Sequence, residues 1–121
     1  MRRLILFLSL LLSAVALPAE ARSDAFYTSW KNNHAVGGYD VVSFYSGKPL
    51  EGKKEFAQLY RDAEWRFSSQ ANLDLFRTNP EAFVPQYGGY CAWAAARGKL
   101  AKGSPKYWHV RDGKLFLNFD K

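Results

Sequence analysis

Cys91 is the only cysteine in the 121-residue chain, so no disulfide can form within it and packing alone must hold the fold together. Aromatic residues supply much of that packing: the chain has 9 Phe, 7 Tyr and 4 Trp, and each ring buries a large apolar area. A chain of this length has room for one domain. The sequence therefore predicts a single domain with an aromatic-rich core.

The N-terminal residues have the pattern of an export signal. Two arginines precede an uncharged apolar run at residues 4–17, and a proline and small residues follow the run. The run has 14 residues, whereas about 20 are needed to span a membrane, so we expect no stable membrane anchor. We expect a signal peptide over residues 1–21, cleaved after Ala21, and a mature domain over residues 22–121 in the periplasm or outside the cell.

The charge of the chain limits its partners. The formal net charge is +6 at pH 7, which favours anionic surfaces or ligands. We expect no nucleic-acid partner, because the protein is predicted to be exported and no run of basic residues alternates with aromatic ones.

Local patterns predict elements in the first half of the mature domain. Residues 24–33 favour a short helix that begins at a polar cap. Residues 37–49 have the alternation of a strand, followed by a Gly/Pro turn. Residues 55–60 and 64–69 predict a hairpin whose aromatic residues share one side.

Helical patterns follow this hairpin. Ser69 is a typical N-cap for a helix over residues 70–78, in which two apolar residues lie three positions apart. An Asn-Pro pair ends that helix and begins a further turn over residues 80–84. Residues 90–97 predict another helix, which ends at Gly98.

The clearest pattern is a C-terminal hairpin over residues 107–119. Its turn is Asp112-Gly113, the composition that a type I′ turn favours. A two-residue loop pairs Arg111 with Lys114, Val110 with Leu115, His109 with Phe116, and Trp108 with Leu117. The elements together predict an α+β fold, a small antiparallel sheet of hairpins with two or three short helices, and no internal repeat is expected.

These motifs resemble those of the YHS domain family over nearly all of residues 22–121. The matching stretches are AVGGYDVVSFYSGKPLEGKKEF, WRFSSQANLDLFRTNPEAFVPQYGGYCAWAAARGK and DGKLFLNFDK. The chain is similar to the secreted bacterial branch, whose members are mostly of unknown function. Elsewhere in the family the domain accompanies heavy-metal-transporting ATPases and some multicomponent oxygenases, and it carries cysteines suspected of binding metal.

The chain departs from that metal-linked pattern. The positions of those cysteines correspond here to Ser68, Ser69 and Asn72, whose side chains are poor ligands for soft metals. Cys91 and His109 are the candidate metal ligands that remain, for a transition metal such as copper or zinc. Because the cysteine set is absent, we expect that no such cofactor is retained.

Cys91 has two open interpretations. It could be a reactive thiol, activated in the first turn of a helix. It could instead be a small buried residue where helix and sheet touch, helped by Gly88 and Gly89. Its neighbours are apolar, so the second interpretation is preferred.

A binding surface is the third candidate. Aromatic residues cluster around two glycine pairs, where a ligand can approach the backbone closely. The candidate ligand-binding residues are Tyr39, Tyr87, Tyr90, Cys91, Trp93 and His109. A basic run from Arg97 to Lys106 could receive an anionic group.

No nucleophile signature appears in the sequence, so we expect no enzyme. We expect an exported YHS-type domain that binds a small ligand, a metal or an envelope protein in an accessory role. The alternatives are a single-cysteine redox or sensor protein, and a protein–protein interaction module with no small ligand.

Overall fold

The computed structural model describes residues 25–120, so the predicted signal peptide lies outside the described residues. The strands are β1 (Lys53–Tyr60), β2 (Ala63–Phe67), β3 (Ser104–Arg111) and β4 (Lys114–Asn118). They pair as two antiparallel hairpins, β1 with β2 and β3 with β4. The helices are α1 (Gln70–Thr78) and α2 (Ala92–Ala95), with 3₁₀ helices at Val41–Ser46 and Pro80–Ala82. Tight turns that contain positive φ angles lie at Ala35–Gly38 and Gln86–Gly89. The predicted small α+β fold is confirmed.

Both hairpins turn through two residues in the left-handed region, the geometry that matches the twist of antiparallel strands. The φ angles are 51° and 68° at Arg61 and Asp62, and 53° and 74° at Asp112 and Gly113. All four predicted residue pairs of the C-terminal hairpin are present. The sequence therefore predicted the register of this hairpin correctly.

Helix α1 begins where the sequence predicts. The Ser69 hydroxyl accepts a hydrogen bond from the Asn72 backbone N–H at 3.2 Å and so caps the helix. Leu73 and Phe76 face the core and are buried. The predicted turn after the helix is also present, with Pro80 at its first position.

The predicted helix over residues 24–33 is wrong in its described part, which contains only bends and turns. The Ser29 and Asn32 side chains accept hydrogen bonds from backbone N–H groups two residues further on, at 3.2 and 2.9 Å. Such local bonds offer the backbone an alternative to helical hydrogen bonds.

The predicted strand over residues 37–49 is also wrong. The segment Val41–Ser46 is a 3₁₀ helix, because the Asp40 carboxylate caps its first N–H groups and Gly47, at φ 83°, ends it. The predicted helix over residues 90–97 is present but shorter, since only Ala92–Ala95 is α-helical.

The core is rich in aromatic side chains, as predicted. The Trp65 ring lies 4.9 Å from Phe26 and 5.2 Å from Phe76, measured between ring centroids. Leu115 and Leu117 of β4 bring the second hairpin into the same cluster, and both are almost fully buried. One core therefore joins the two hairpins.

The two halves of the fold repeat each other, contrary to the expectation of no internal repeat. The turn at Ala35–Gly38 recurs at Gln86–Gly89, and β1 and β2 recur as β3 and β4, each 51 residues later (104 − 53 = 51). Every Cα pairing of the first hairpin has a counterpart in the second at this offset. We call residues 35–69 the first half-unit and residues 86–120 the second half-unit.

The backbone repeats in detail. The φ angles in the first turn are 54°, 61° and 82° at Val36, Gly37 and Gly38, and in the second 55°, 65° and 83° at Tyr87, Gly88 and Gly89. Each turn is followed by the same long-range bond, from Asp40 N–H to Leu50 O and from Cys91 N–H to Ala101 O, both at 2.8 Å. Cys91 therefore occupies the position of Asp40.

The half-units bury opposite faces of their hairpins. In the first, the face of β2 that carries Trp65 is buried. In the second, the core residues of β4 are Leu115 and Leu117. The residues equivalent to the buried face of β2 are Phe116 and Asn118, which remain partly exposed.

Asp40 is a fully buried carboxylate that gathers hydrogen bonds from three segments. Its Oδ1 accepts bonds from the backbone N–H groups of Val42 and Ser43 at 2.9 and 3.2 Å. Its Oδ2 accepts bonds from the Ser68 N–H, the Ser68 hydroxyl and the Asn72 amide at 2.8, 2.7 and 2.8 Å. The carboxylate thus ties the 3₁₀ helix, the end of β2 and α1 together.

Replacing Asp40 by asparagine should lower the free energy of unfolding by about 3 kcal/mol, because an amide nitrogen would face hydrogen-bond donors in a buried site. Urea unfolding measures this change. Asp62→Asn is the matched control, since Asp62 lies in an exposed turn and asparagine tolerates its positive φ. Equal stability of the two variants would show that the buried carboxylate does not stabilise the fold.

Candidate functional site

A cleft of about 520 Å³ lies between α2 and the end of β4. Its lining residues are Cys91, Trp93, Ala94, Ala101, Asn118, Phe119 and Asp120. We call it the Cys91 cleft. Cys91 and Trp93 are two of the predicted ligand-binding residues, so the structure brings part of the predicted set to one concave surface.

Two exposed aromatic side chains form walls of the Cys91 cleft, and a positively charged side chain lies over each ring. Trp93 is 64% exposed and Phe119 is 50% exposed. The Arg97 guanidinium lies 3.9 Å from the Trp93 ring centroid and donates a hydrogen bond to the Trp93 carbonyl at 2.9 Å. The Lys102 ammonium lies 5.6 Å from the Phe119 ring centroid. The cleft therefore combines apolar walls with positive charge.

Cys91 is 5% exposed, and the preferred interpretation of a small buried residue is confirmed. Its backbone forms a bridge with Leu117 of β4, so helix and sheet meet at this residue, as predicted. Its Sγ donates a weak hydrogen bond to Asn118 Oδ1 at 3.8 Å. The same oxygen accepts a hydrogen bond from the Trp93 backbone N–H at 3.2 Å. Asn118 thus provides an acceptor for a backbone N–H in the first turn of α2, which has no acceptor within the helix.

The other predicted ligand-binding residues lie outside the lining of the cleft. His109 stacks on Phe116 at 5.0 Å between centroids, and Tyr87 lies 6.4 Å from the same ring. Phe116 and Asn118 alternate along β4, so this aromatic cluster shares a strand face with a residue of the cleft. Cys91 and His109 are the predicted metal pair, and the structure places them in different surroundings.

The remaining two tyrosines belong to other contacts. The Tyr90 ring packs against Tyr27 at 5.5 Å between centroids. Tyr39, its counterpart in the first half-unit, lies 6.3 Å from the core residue Phe44. Both tyrosines follow a glycine turn, and the backbone of each forms an isolated antiparallel β-bridge with a residue twelve positions further on.

Three positions, which the resemblance matches to cysteines suspected of binding metal, do not fit a metal in this structure. Ser68 and Asn72 donate hydrogen bonds to the buried Asp40 carboxylate, and Ser69 caps α1. These groups are therefore engaged in holding the fold. Within residues 25–120 there is no group of three or more His, Cys, Asp or Glu side chains placed to hold a metal ion.

His34 lies apart from the cleft, beside the first hairpin. Its Nε2 is 3.6 Å from Glu64 Oε2. Partial burial lowers the pKa of His34, the Arg66 charge lowers it further, and the Glu64 carboxylate opposes both. The lowered pKa favours the neutral imidazole. The His34 side chain is only 22% exposed, so it is partly shielded from solvent.

Five lining residues were not predicted: Ala94 of α2, and Ala101, Asn118, Phe119 and Asp120. The last four come from two segments whose contact with α2 depends on how the second hairpin folds back. One signal in the sequence, a set of glycines and a tyrosine that recurs 51 residues later, could have indicated that the second hairpin repeats the first. The repeated glycines and tyrosine at one offset are Gly37, Gly38, Tyr39, Gly47 and Gly52, matched by Gly88, Gly89, Tyr90, Gly98 and Gly103.

No protein-family model, curated protein or solved structure matches this chain. The resemblance to the YHS family therefore remains a prediction. Across residues 25–120, no helix has the length and apolar character needed to cross a membrane.

The Cys91 thiol should react with a small disulfide reagent at least about 100-fold more slowly in the native protein than in urea, because reaction requires local opening. The absorbance of the released thiolate measures the rate. The matched control is Cys91→Ser combined with Ala96→Cys, which moves the thiol to an exposed position beside α2. Native Cys91 reacting as fast as that control would contradict this prediction and support the redox interpretation.

Proposed function

We propose that this protein is an exported, non-enzymatic binding domain of the YHS type, with an accessory role in the bacterial envelope, and that the Cys91 cleft is its binding site. The observation that carries the proposal is the cleft itself, a concave space of about 520 Å³ between two exposed aromatic side chains. Clefts of this size with apolar walls and a few polar groups are typical of binding sites.

The composition of the cleft supports binding rather than catalysis. Trp93 and Phe119 offer apolar area, and Ala94 and Ala101 leave room between them. The side-chain oxygen of Asn118 already accepts hydrogen bonds from the Cys91 thiol and from the Trp93 backbone N–H of α2. Such a surface can bury an apolar group of a ligand or partner.

The charge around the cleft supports an anionic occupant. Arg97 and Lys102 lie over the aromatic walls, and both residues are exposed. Asp120 is the acidic residue of the lining. An occupant with an apolar body and a negative group would match the two cations.

Export and family membership rest on the sequence. The basic start and apolar run of residues 1–21 support secretion, and the motifs around Gly37, Phe67 and Gly88 support the YHS assignment. A metal-binding role is not proposed, because the positions that would carry it hold the Asp40 network instead.

The dye 1-anilinonaphthalene-8-sulfonate should bind the cleft, because it has an aromatic body and one sulfonate. Ala101→Trp places a large ring in the cleft and should weaken dye binding about tenfold, the effect of losing roughly 60 Å² of apolar contact. Fluorescence titration of native protein measures the affinity, and added salt should weaken it.

Ala71→Trp is the control for this test, because Ala71 is an exposed alanine on α1, outside the cleft. It should leave dye binding unchanged. Urea unfolding of both variants checks that each is folded. Dye binding that Ala101→Trp does not weaken, or no dye binding at all, would reject the cleft as the binding site.

A further inference from the structure

We infer that the loop at residues 97–102 docks this domain on the surface of an anionic lipid bilayer. We call this segment the basic loop; it lies between α2 and β3 and carries Arg97, Lys99, Leu100 and Lys102. The inference goes beyond the proposed function, because it assigns a second surface, beside the cleft, to a different partner. It comes from comparing the basic loop with its counterpart in the first half-unit, residues 46–51.

The two loops share their backbone framework. In the first half-unit the Lys48 N–H donates a hydrogen bond to Ser43 O at 3.4 Å, and 51 residues later the Lys99 N–H donates to Ala94 O at 3.0 Å. The glycine before each lysine has a positive φ, 83° in the first loop and 75° in the second. Because the backbones correspond, their side chains can be compared position by position.

The side chains of the two loops differ in charge. At the 51-residue offset Ser46 is replaced by Arg97 and Glu51 by Lys102, while the lysine between them is kept. The first half-unit has five cationic and five anionic side chains, whereas the second has six cationic and two anionic ones. The second half-unit therefore carries the excess positive charge, and three of its six cations lie in the basic loop.

These cations are free to meet an external anion. Arg97, Lys99 and Lys102 are all exposed. Within residues 25–120, no ion pair involves any of the three. Their charge is therefore not neutralised by a neighbouring carboxylate and can act on a partner.

Leu100 is the apolar tip of the basic loop, and its side chain is 75% exposed. The residues on both sides of it are fixed by backbone hydrogen bonds, Lys99 N–H to Ala94 O at 3.0 Å and Cys91 N–H to Ala101 O at 2.8 Å. The loop thus holds a leucine out of the core and among three cations. Apolar side chains that project beside basic ones are typical of segments that bind the interface of an anionic membrane.

The exposure of the basic loop does not depend on the cleft. Helix α1 packs on the first half-unit, and the loop equivalent to the basic loop is nevertheless exposed at Gly47, Lys48 and Leu50. Pro49, the counterpart of Leu100, is partly buried. A helix packed on a half-unit therefore leaves this loop open to solvent.

An anionic bilayer matches both parts of the basic loop. Its headgroups attract lysine and arginine, with an effect of about fivefold in affinity per cation, and its interface accepts an apolar side chain such as Leu100. A soluble anion would meet the charges and leave the leucine in water. The predicted export places the domain beside lipid bilayers, and in this one respect the inference rests on the proposed function.

Co-sedimentation with vesicles tests the inference. The protein is used without residues 1–21, whose apolar run would itself bind lipid. It should bind vesicles of phosphatidylcholine with phosphatidylglycerol at least about tenfold more tightly than vesicles of phosphatidylcholine alone, and added salt should weaken that binding. Lys99→Gln should weaken it about fivefold and Leu100→Ser about tenfold.

Two matched controls lie outside the basic loop. Lys48→Gln removes the lysine at the equivalent position of the first half-unit, and Leu59→Ser removes a leucine that is 64% exposed on the first hairpin. Both should leave vesicle binding unchanged. Leu100→Ser should also leave binding of the sulfonate dye unchanged, because Leu100 does not line the cleft.

The internal repeat allows a test by transfer. In the protein that carries both Lys99→Gln and Leu100→Ser, the changes Ser46→Arg, Pro49→Leu and Glu51→Lys give the first loop the side chains of the basic loop. Because the two loops share their backbone hydrogen bonds, these changes should restore most of the vesicle binding. Restored binding would support the inference, since these side chains would then suffice on this backbone.

The remaining outcomes separate this inference from the proposed function. Equal binding to neutral and anionic vesicles, or binding that neither Lys99→Gln nor Leu100→Ser weakens, would overturn the inference. Binding that Lys99→Gln weakens and Leu100→Ser does not would assign the loop to a soluble anion and overturn the bilayer. Vesicle binding without dye binding would reject the cleft and support the docking loop, and dye binding without vesicle binding would do the reverse.

Discussion

The Asp40 carboxylate is the interaction on which the first half of the molecule depends. A buried charge is stable only when hydrogen-bond donors surround it, and here the donors come from a 3₁₀ helix, the end of β2 and α1. If any of these segments moved away, the buried carboxylate would lose hydrogen-bond donors. The same network turns the residues after Gly38 into a helix, although their sequence alternates as a strand would.

The second half of the molecule shows what the same backbone does without that charge. Cys91 stands in the position of Asp40, and its thiol makes one weak bond, to Asn118. A thiol needs no set of hydrogen-bond donors around it. A cleft with aromatic walls lies beside this residue, and the binding role proposed for the protein rests on that cleft.

The candidate site was only partly visible in the sequence. Cys91 was singled out as the only cysteine and Trp93 as an aromatic residue near a glycine pair, and both line the cleft. Asn118 and Phe119 were not, because a residue at the end of a strand acquires its neighbours only when the hairpin folds back onto α2. The repeated Gly-Gly-Tyr turns were present in the sequence all along, but few residues besides the glycines are shared between the half-units.

Local chemistry alone determined the hairpins, their turns and the capped helix α1. Asp112-Gly113 adopts positive φ readily, and Ser69 bonds to an N–H only three residues away, so these features need no distant partner. Tertiary structure decided the burial of Asp40 against Ser68 and Asn72, the opposite packing of the two hairpins and the cleft. Each of these depends on contacts between residues far apart in sequence, because burial and the satisfaction of a buried charge are properties of the assembled core.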